Sequence, residues 1–104
     1  MSINEDKIVS AKRSLINALS RSPENGLELY QISRDIISSA IGARIDYTHA
    51  SFNSIVGIES ELSSDNGAGL EVQDVLFQKY AISLQRAQSA ILELLKKNGF
   101  ENRE

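Results

Sequence analysis

Apolar residues recur every three to four positions through three long stretches of this chain, the spacing of amphipathic helices. In the first stretch Ile8, Ala11, Leu15 and Ala18 make the stripe, Val9, Ile16 and Leu19 widen it, and Lys7, Lys12 and Arg13 take the other side. Ser2 followed by Glu5 has the form of a capping box, so the pattern predicts a helix over 3–22. Pro23 is either its stop or, behind Ser22 as N-cap, the first position of the next helix.

The second stretch, Leu27 to Ile41, is apolar around most of its circumference; Glu28, Gln31, Arg34 and Asp35 are its clear interruptions. A helix of that kind is central in a bundle or covered by another subunit. Gly42 follows. Glycine inside a helix costs about 1 kcal/mol relative to alanine, which invites a break and gives helices over 27–41 and 43–64. Against a break, Ile41, Ile45, Thr48, Phe52, Ile55 and Leu62 keep heptad-like spacing past the glycine, with Glu59 as the polar gap and Ile58 beside it. An unbroken helix over 27–64 would be a rod of ~57 Å. Ala43, Ala50, Ser54 and Gly57, with Tyr47 among them, form a second stripe of small residues suited to close helix packing.

The third stretch is the most regular. Phe77, Tyr80, Leu84, Ala87, Ile91 and Leu94 alternate steps of three and four and predict a helix over 70–97. Leu76, Ala81, Ala90 and Leu95 widen that seam, and Val75, Ile82 and Leu92 lie off it, hinting at a second contact. Lys96 and Lys97 suit the negative end of the helix dipole. The Asn-Gly pairs 25–26, 66–67 and 98–99 read as loop or helix-end signals between these stretches. The expected fold is all-α: one domain over 1–104, an antiparallel helical bundle or an elongated helical hairpin of three or four helices.

Composition narrows the chemistry. The chain has no cysteine, which excludes disulfides, thiolate zinc sites and cysteine nucleophiles. The polar, acidic start, Met1 to Asp6, is unlike a signal peptide, and no run approaches the ~18 apolar residues of a membrane span. The expected location is the cytoplasm, with leaderless export compatible. No HExxH, Gly-rich phosphate loop or GxSxG occurs, and Asp65-Asn66-Gly67 lacks the alternating acids of a calcium loop, so neither metal nor cofactor is expected.

The net charge is −3, and its placement matters more than its size. No basic residue lies between Arg44 and Lys79, where Asp46, Glu59, Glu61, Asp65, Glu71 and Asp74 all fall. Nucleic acid is disfavoured, because phosphate binding needs clustered Lys and Arg. A basic protein partner suits Glu59, Glu61, Asp65, Glu71 and Asp74; a solvated surface with acids near a helix start accounts for them as well.

His49 is the single histidine, and on a helix Asp46 would lie within reach of its ring. Arg44-Ile45-Asp46-Tyr47-Thr48-His49 is an Arg-x4-His string that resembles the motif of the HEPN family, helical-bundle proteins many of which are metal-independent ribonucleases. The resemblance implies Arg44 stabilising phosphate charge and His49 acting at the attacking hydroxyl or the leaving oxygen. The Gln- and Ala-rich last helix behind a Gly-containing loop, with Tyr80 and Leu94-Leu95, is similar in style to small rod and needle subunits of bacterial secretion systems, which implies assembly.

Together these features favour a small non-enzymatic interaction module, an accessory, chaperone-like or assembly subunit that homo-oligomerises or caps a partner helix. The expected contact is the last helix, through Phe77, Tyr80, Leu84, Ile91 and Leu94 with Val75 and Ile82, unless the core consumes that seam. The alternatives are a HEPN-like endoribonuclease using Arg44 and His49, and an acidic immunity-type protein that neutralises a basic toxin.

Overall fold

The computed structural model describes residues 3–45, 48–64 and 70–97. They form four helices: α1 (Ile3–Leu19), α2 (Gly26–Gly42), α3 (Ala50–Ser64) and α4 (Leu70–Lys97), with no strand among the described residues. Sequential helices pack antiparallel against each other. α2 and α4 also touch, so each of these two meets all three of the others, while α1 and α3 sit on the flanks. α2 is therefore central, as its wide apolar circumference implies.

The core is an aliphatic cluster drawn from every helix. Leu15 and Leu19 come from α1, Leu29, Ile32 and Ile36 from α2, Phe52, Ile55 and Ile58 from α3, and Leu84, Ile91 and Leu95 from α4. On α2 the buried set includes Ser33, which satisfies its hydroxyl by donating to the Leu29 carbonyl at 2.8 Å. A buried Ser on a helix commonly folds back on the preceding turn in this way.

The helix ends differ from the sequence pattern for identifiable reasons. α1 stops at Leu19, short of the expected Ser22. Ser20 ends it by donating from its hydroxyl to the Ile16 carbonyl at 2.9 Å and from its amide to the Asn17 carbonyl at 3.1 Å. Ser2, the expected N-cap of α1, lies outside the described residues. Asn25-Gly26 is a helix start, not a divider. The Asn25 side-chain oxygen accepts the Glu28 amide at 2.9 Å, and the Glu28 carboxylate accepts the Glu24 amide at 2.9 Å. This is a reciprocal cap that displaces Ser22 and Pro23 from that role. The pairs 66–67 and 98–99 lie outside the described residues.

The chain does break after Gly42, but over a longer span than a glycine bend. α3 begins at Ala50 instead of 43, and the heptad phase does not carry across: Ile41 and Thr48 are exposed, and Ile58 takes the core place left by Glu59. The stop is a Schellman motif. The Ile45 amide donates to the Ala40 carbonyl at 3.0 Å, the Arg44 amide donates to the Ile41 carbonyl at 3.1 Å, and Arg44 carries a positive φ of 58°. Glycine is the usual residue there, because a Cβ strains the left-handed region. Ile45, next along, packs against the core and fixes the exit. Arg44→Gly should raise stability by about 0.5–1 kcal/mol in urea unfolding, since the relieved strain outweighs the added freedom of the unfolded chain. A loss of stability would show that the Arg44 side chain holds a contact worth more than the strain. Gly42 has a separate use: a Cβ there would come within 3.0 Å of the Ala11 Cβ, so the glycine lets α1 and α2 approach closely.

One buried polar side chain links the ends of the bundle. Gln88 of α4 is 3% exposed, and its amide nitrogen donates to the carbonyls of Ala18 at 2.9 Å and Arg21 at 2.8 Å. It completes the C-terminus of α1, whose last carbonyls have no partners within the helix.

Candidate functional site

The seam expected to form the contact on α4 is spent mostly inside the bundle. Leu84 and Ile91 are 0% exposed, and Phe77 and Tyr80 are half-buried against the core. Leu94 is intermediate. Val75 and Ile82 remain outside, 64% and 62% exposed and one heptad apart. Both point almost directly away from Leu84 at 100° per residue. Lys79 and Arg86 are exposed beside them, so this face is a charged surface carrying two separate apolar side chains.

A longer, partly covered stripe lies on α2. Leu27, Tyr30, Arg34, Ile37 and Ile41 follow steps of three, four, three and four. On a helix they fall ~100–180° around from the buried Ile36, a face separate from the core stripe. Leu27 and Ile41 at its ends are 54% and 53% exposed; Tyr30 and Ile37 are half-buried. Arg34 holds the middle position. Its guanidinium lies 5.6 Å from the Tyr30 ring centroid and donates to the Tyr30 hydroxyl at 3.3 Å, so ring and cation form one plate on the stripe. The spacing was visible in the sequence.

Two clefts lie at this face, one beside the Tyr30–Arg34 pair and one over it. One, of about 260 Å³, lies between α1 and α2 and is lined by Ser14, Asn17, Ala18, Arg21, Asp35, Ser38 and Ser39. The other, a shallow depression of about 500 Å³, runs over Leu27, Tyr30, Gln31 and Arg34. Between them Arg21 and Asp35 pair at 3.0 Å, both substantially exposed. An exposed pair of this kind contributes on the order of 0–1 kcal/mol.

The acidic surface is partly neutralised in space. The Tyr80 hydroxyl donates to the Glu61 carboxylate across α3 and α4, and the Lys79 ammonium lies 3.6 Å from the same carboxylate and 5.1 Å from the Tyr80 ring centroid. The Tyr80 hydroxyl, and after it the Glu61 charge, hold the Lys79 ammonium above the usual lysine range. Glu59 accepts from the Ser63 hydroxyl at 2.9 Å, and Asp74 is exposed. Asp65 lies outside the described residues, and Glu71 lies in the first turn of α4.

Arg44 and His49 do not share a helix. Arg44 ends α2, and His49 immediately precedes α3. The ring Nδ1 of His49 accepts the Ser51 amide at 3.2 Å and its carbonyl accepts the Asn53 amide at 3.1 Å, so His49 acts as a cap for α3. Asp46, its expected carboxylate neighbour, lies outside the described residues. No group of three His, Asp or Glu side chains suited to a metal occurs among the described residues, and no described helix is long and apolar enough to cross a membrane.

No protein-family model, characterised protein or solved structure is significantly similar to this chain.

Proposed function

We propose that the protein is a non-enzymatic interaction module that docks a partner helix on the outer face of α2. The observation that carries this reading is the exposure of Leu27 and Ile41, each more than half open, at the two ends of a regular stripe whose middle residues Tyr30 and Ile37 are only half covered by the core. α2 can bury one stripe inside the bundle and offer the second to a helix lying alongside, in the groove-type recognition in which apolar residues at three- and four-residue spacing provide the contact. The stripe spans about 21 Å, roughly four turns, long enough for a helix of ordinary length.

Purification from the native host with light scattering tests this. The expected result is a discrete complex heavier than the 11.5 kDa chain, which Leu27→Ser with Ile41→Ser converts to the monomer. Both side chains are exposed, so the double variant should melt within a few degrees of the parent. A strictly monomeric parent at micromolar concentration with no co-purifying protein would overturn the reading, as would a complex indifferent to both substitutions.

A further inference from the structure

We infer that the helix received by α2 carries a carboxylate at the centre of its apolar seam. The inference rests on the docking face proposed above and adds the chemistry of the partner. Arg34 sits midway along the stripe, seven residues from Leu27 and seven from Ile41. Its guanidinium has donors to spare: among the described residues the one acceptor it reaches is the Tyr30 hydroxyl, and no carboxylate pairs with it. The neighbouring acid, Asp35, is already paired with Arg21.

A purely apolar helix laid over this stripe would strip water from a cation and return nothing to it, which is strongly unfavourable. A Glu or Asp opposite Arg34 supplies charge-assisted hydrogen bonds to a guanidinium already held in place by the Tyr30 ring. The same residue fixes register, as a lone polar position does in a coiled-coil seam: a helix shifted by one heptad would bring its carboxylate against Leu27 or Ile41. Charge also argues against a second copy of this chain as the occupant. Two α2 helices meeting about a two-fold axis with their stripes in full contact would set Arg34 against Arg34, in parallel or antiparallel order. The occupant we infer is an amphipathic helix of another protein, with apolar residues flanking a central acid, because a symmetric α2–α2 contact sets like charges together.

Two designed probes test this. Both are fluorescein-labelled, lactam-stapled helical peptides of eighteen residues with Leu along a three-four seam; one carries Glu at the central seam position and its twin carries Lys. Titrated with the intact protein, the Glu peptide should bind in the micromolar range and the Lys twin at least about ten-fold more weakly, because a like charge opposes Arg34. Arg34→Glu should invert that preference. Leu27→Ser with Ile41→Ser should weaken binding of the Glu peptide, and circular dichroism should report an unchanged fold. Equal affinity for both peptides, or a preference unmoved by Arg34→Glu, overturns the acidic partner; if the double Ser variant still weakens binding in that case, the α2 docking face itself survives. Binding that the double Ser variant leaves intact, or no binding of either peptide at about 100 μM, overturns the face and the inference together. A dimer of the purified chain dissolved by Leu27→Ser would also overturn the inference, with α2 kept as the contact but a second copy as its occupant.

Discussion

Phe52→Ala should destabilise the protein by about 3–5 kcal/mol. Phe52 is 1% exposed and is the largest of the fully buried side chains. It sits in the first turn of α3, directly after the connection from α2, where few other groups hold the helix down. α3 is fifteen residues long, and its remaining core anchors are Ile55, Ile58 and Leu62. Truncation removes the ring's transfer free energy and leaves a void that neighbouring aliphatic side chains fill only in part. Against a total stability of about 5–15 kcal/mol for a domain of this size, the loss is large enough to shift the melting temperature by on the order of 15–25 °C. Urea unfolding followed by circular dichroism measures it. Phe77→Ala, on a half-buried ring, is the control and should cost distinctly less. A loss below about 1 kcal/mol at Phe52 would mean that the ring does not occupy the core.

The second large effect is electrostatic. Gln88→Glu keeps shape and nearly keeps volume but removes both donors, so a carboxylate would face the Ala18 and Arg21 carbonyl oxygens that Gln88 now satisfies. The Arg21 carbonyl loses the Gln88 donor, the Ala18 carbonyl keeps only the longer 3.4 Å bond from the Arg21 amide, and a charge is buried without a partner; the expected loss at neutral pH is about 3 kcal/mol or more. Gln88→Met, which removes both donors without adding charge, should cost about 2 kcal/mol. The two variants also separate by pH. Burial and the facing carbonyls favour the protonated form of the introduced carboxyl, so its folded-state pKa lies above its unfolded value. Its protonated form then contributes stability that is present below the unfolded pKa and is lost as pH rises through the folded pKa. The Glu variant should therefore approach the parent as pH falls toward 4, while the gap between parent and the Met variant stays constant. Parallel pH profiles for all three proteins would show that residue 88 is hydrated.

Much of the frame was legible from periodicity. The start of α4, its basic last turn and the apolar faces of α1 and α4 follow directly from spacing, because a helix that must bury one side repeats every three to four residues. What escaped lies where one residue type serves two purposes. Asn25-Gly26 has the chemistry of a turn and equally that of a helix start; the Glu28 amide and carboxylate decide it, and they act across three and four residues. Arg44 in a left-handed conformation carries no signal of its own, since the motif is defined by backbone bonds and not by residue identity. Gln88 carries no local signal either, because its acceptors lie 67 and 70 positions away. The candidate surface fared the same way. On α4 the seam residues Leu84 and Ile91 go to the core while Val75 and Ile82 stay exposed, and on α2 Leu27 and Ile41 stay exposed beside the core stripe; where two apolar stripes overlap, periodicity alone does not say which one the bundle consumes.

The arrangement of the helices sets an order of assembly. Three of the five substantial helix contacts join neighbours in sequence, so α1, α2 and α3 can associate as soon as each has emerged from the ribosome. The contacts of α4 with α1 and α2 reach back across the chain, and α4 supplies Leu84, Ile91 and the Gln88 amide that closes α1. Without the 28 residues of α4, about 1–6 s of synthesis, the three preceding helices lack the core contribution of Leu84, Ile91 and Leu95. An apolar face left uncovered for that interval is the kind of surface that chaperones, proteases and other chains bind.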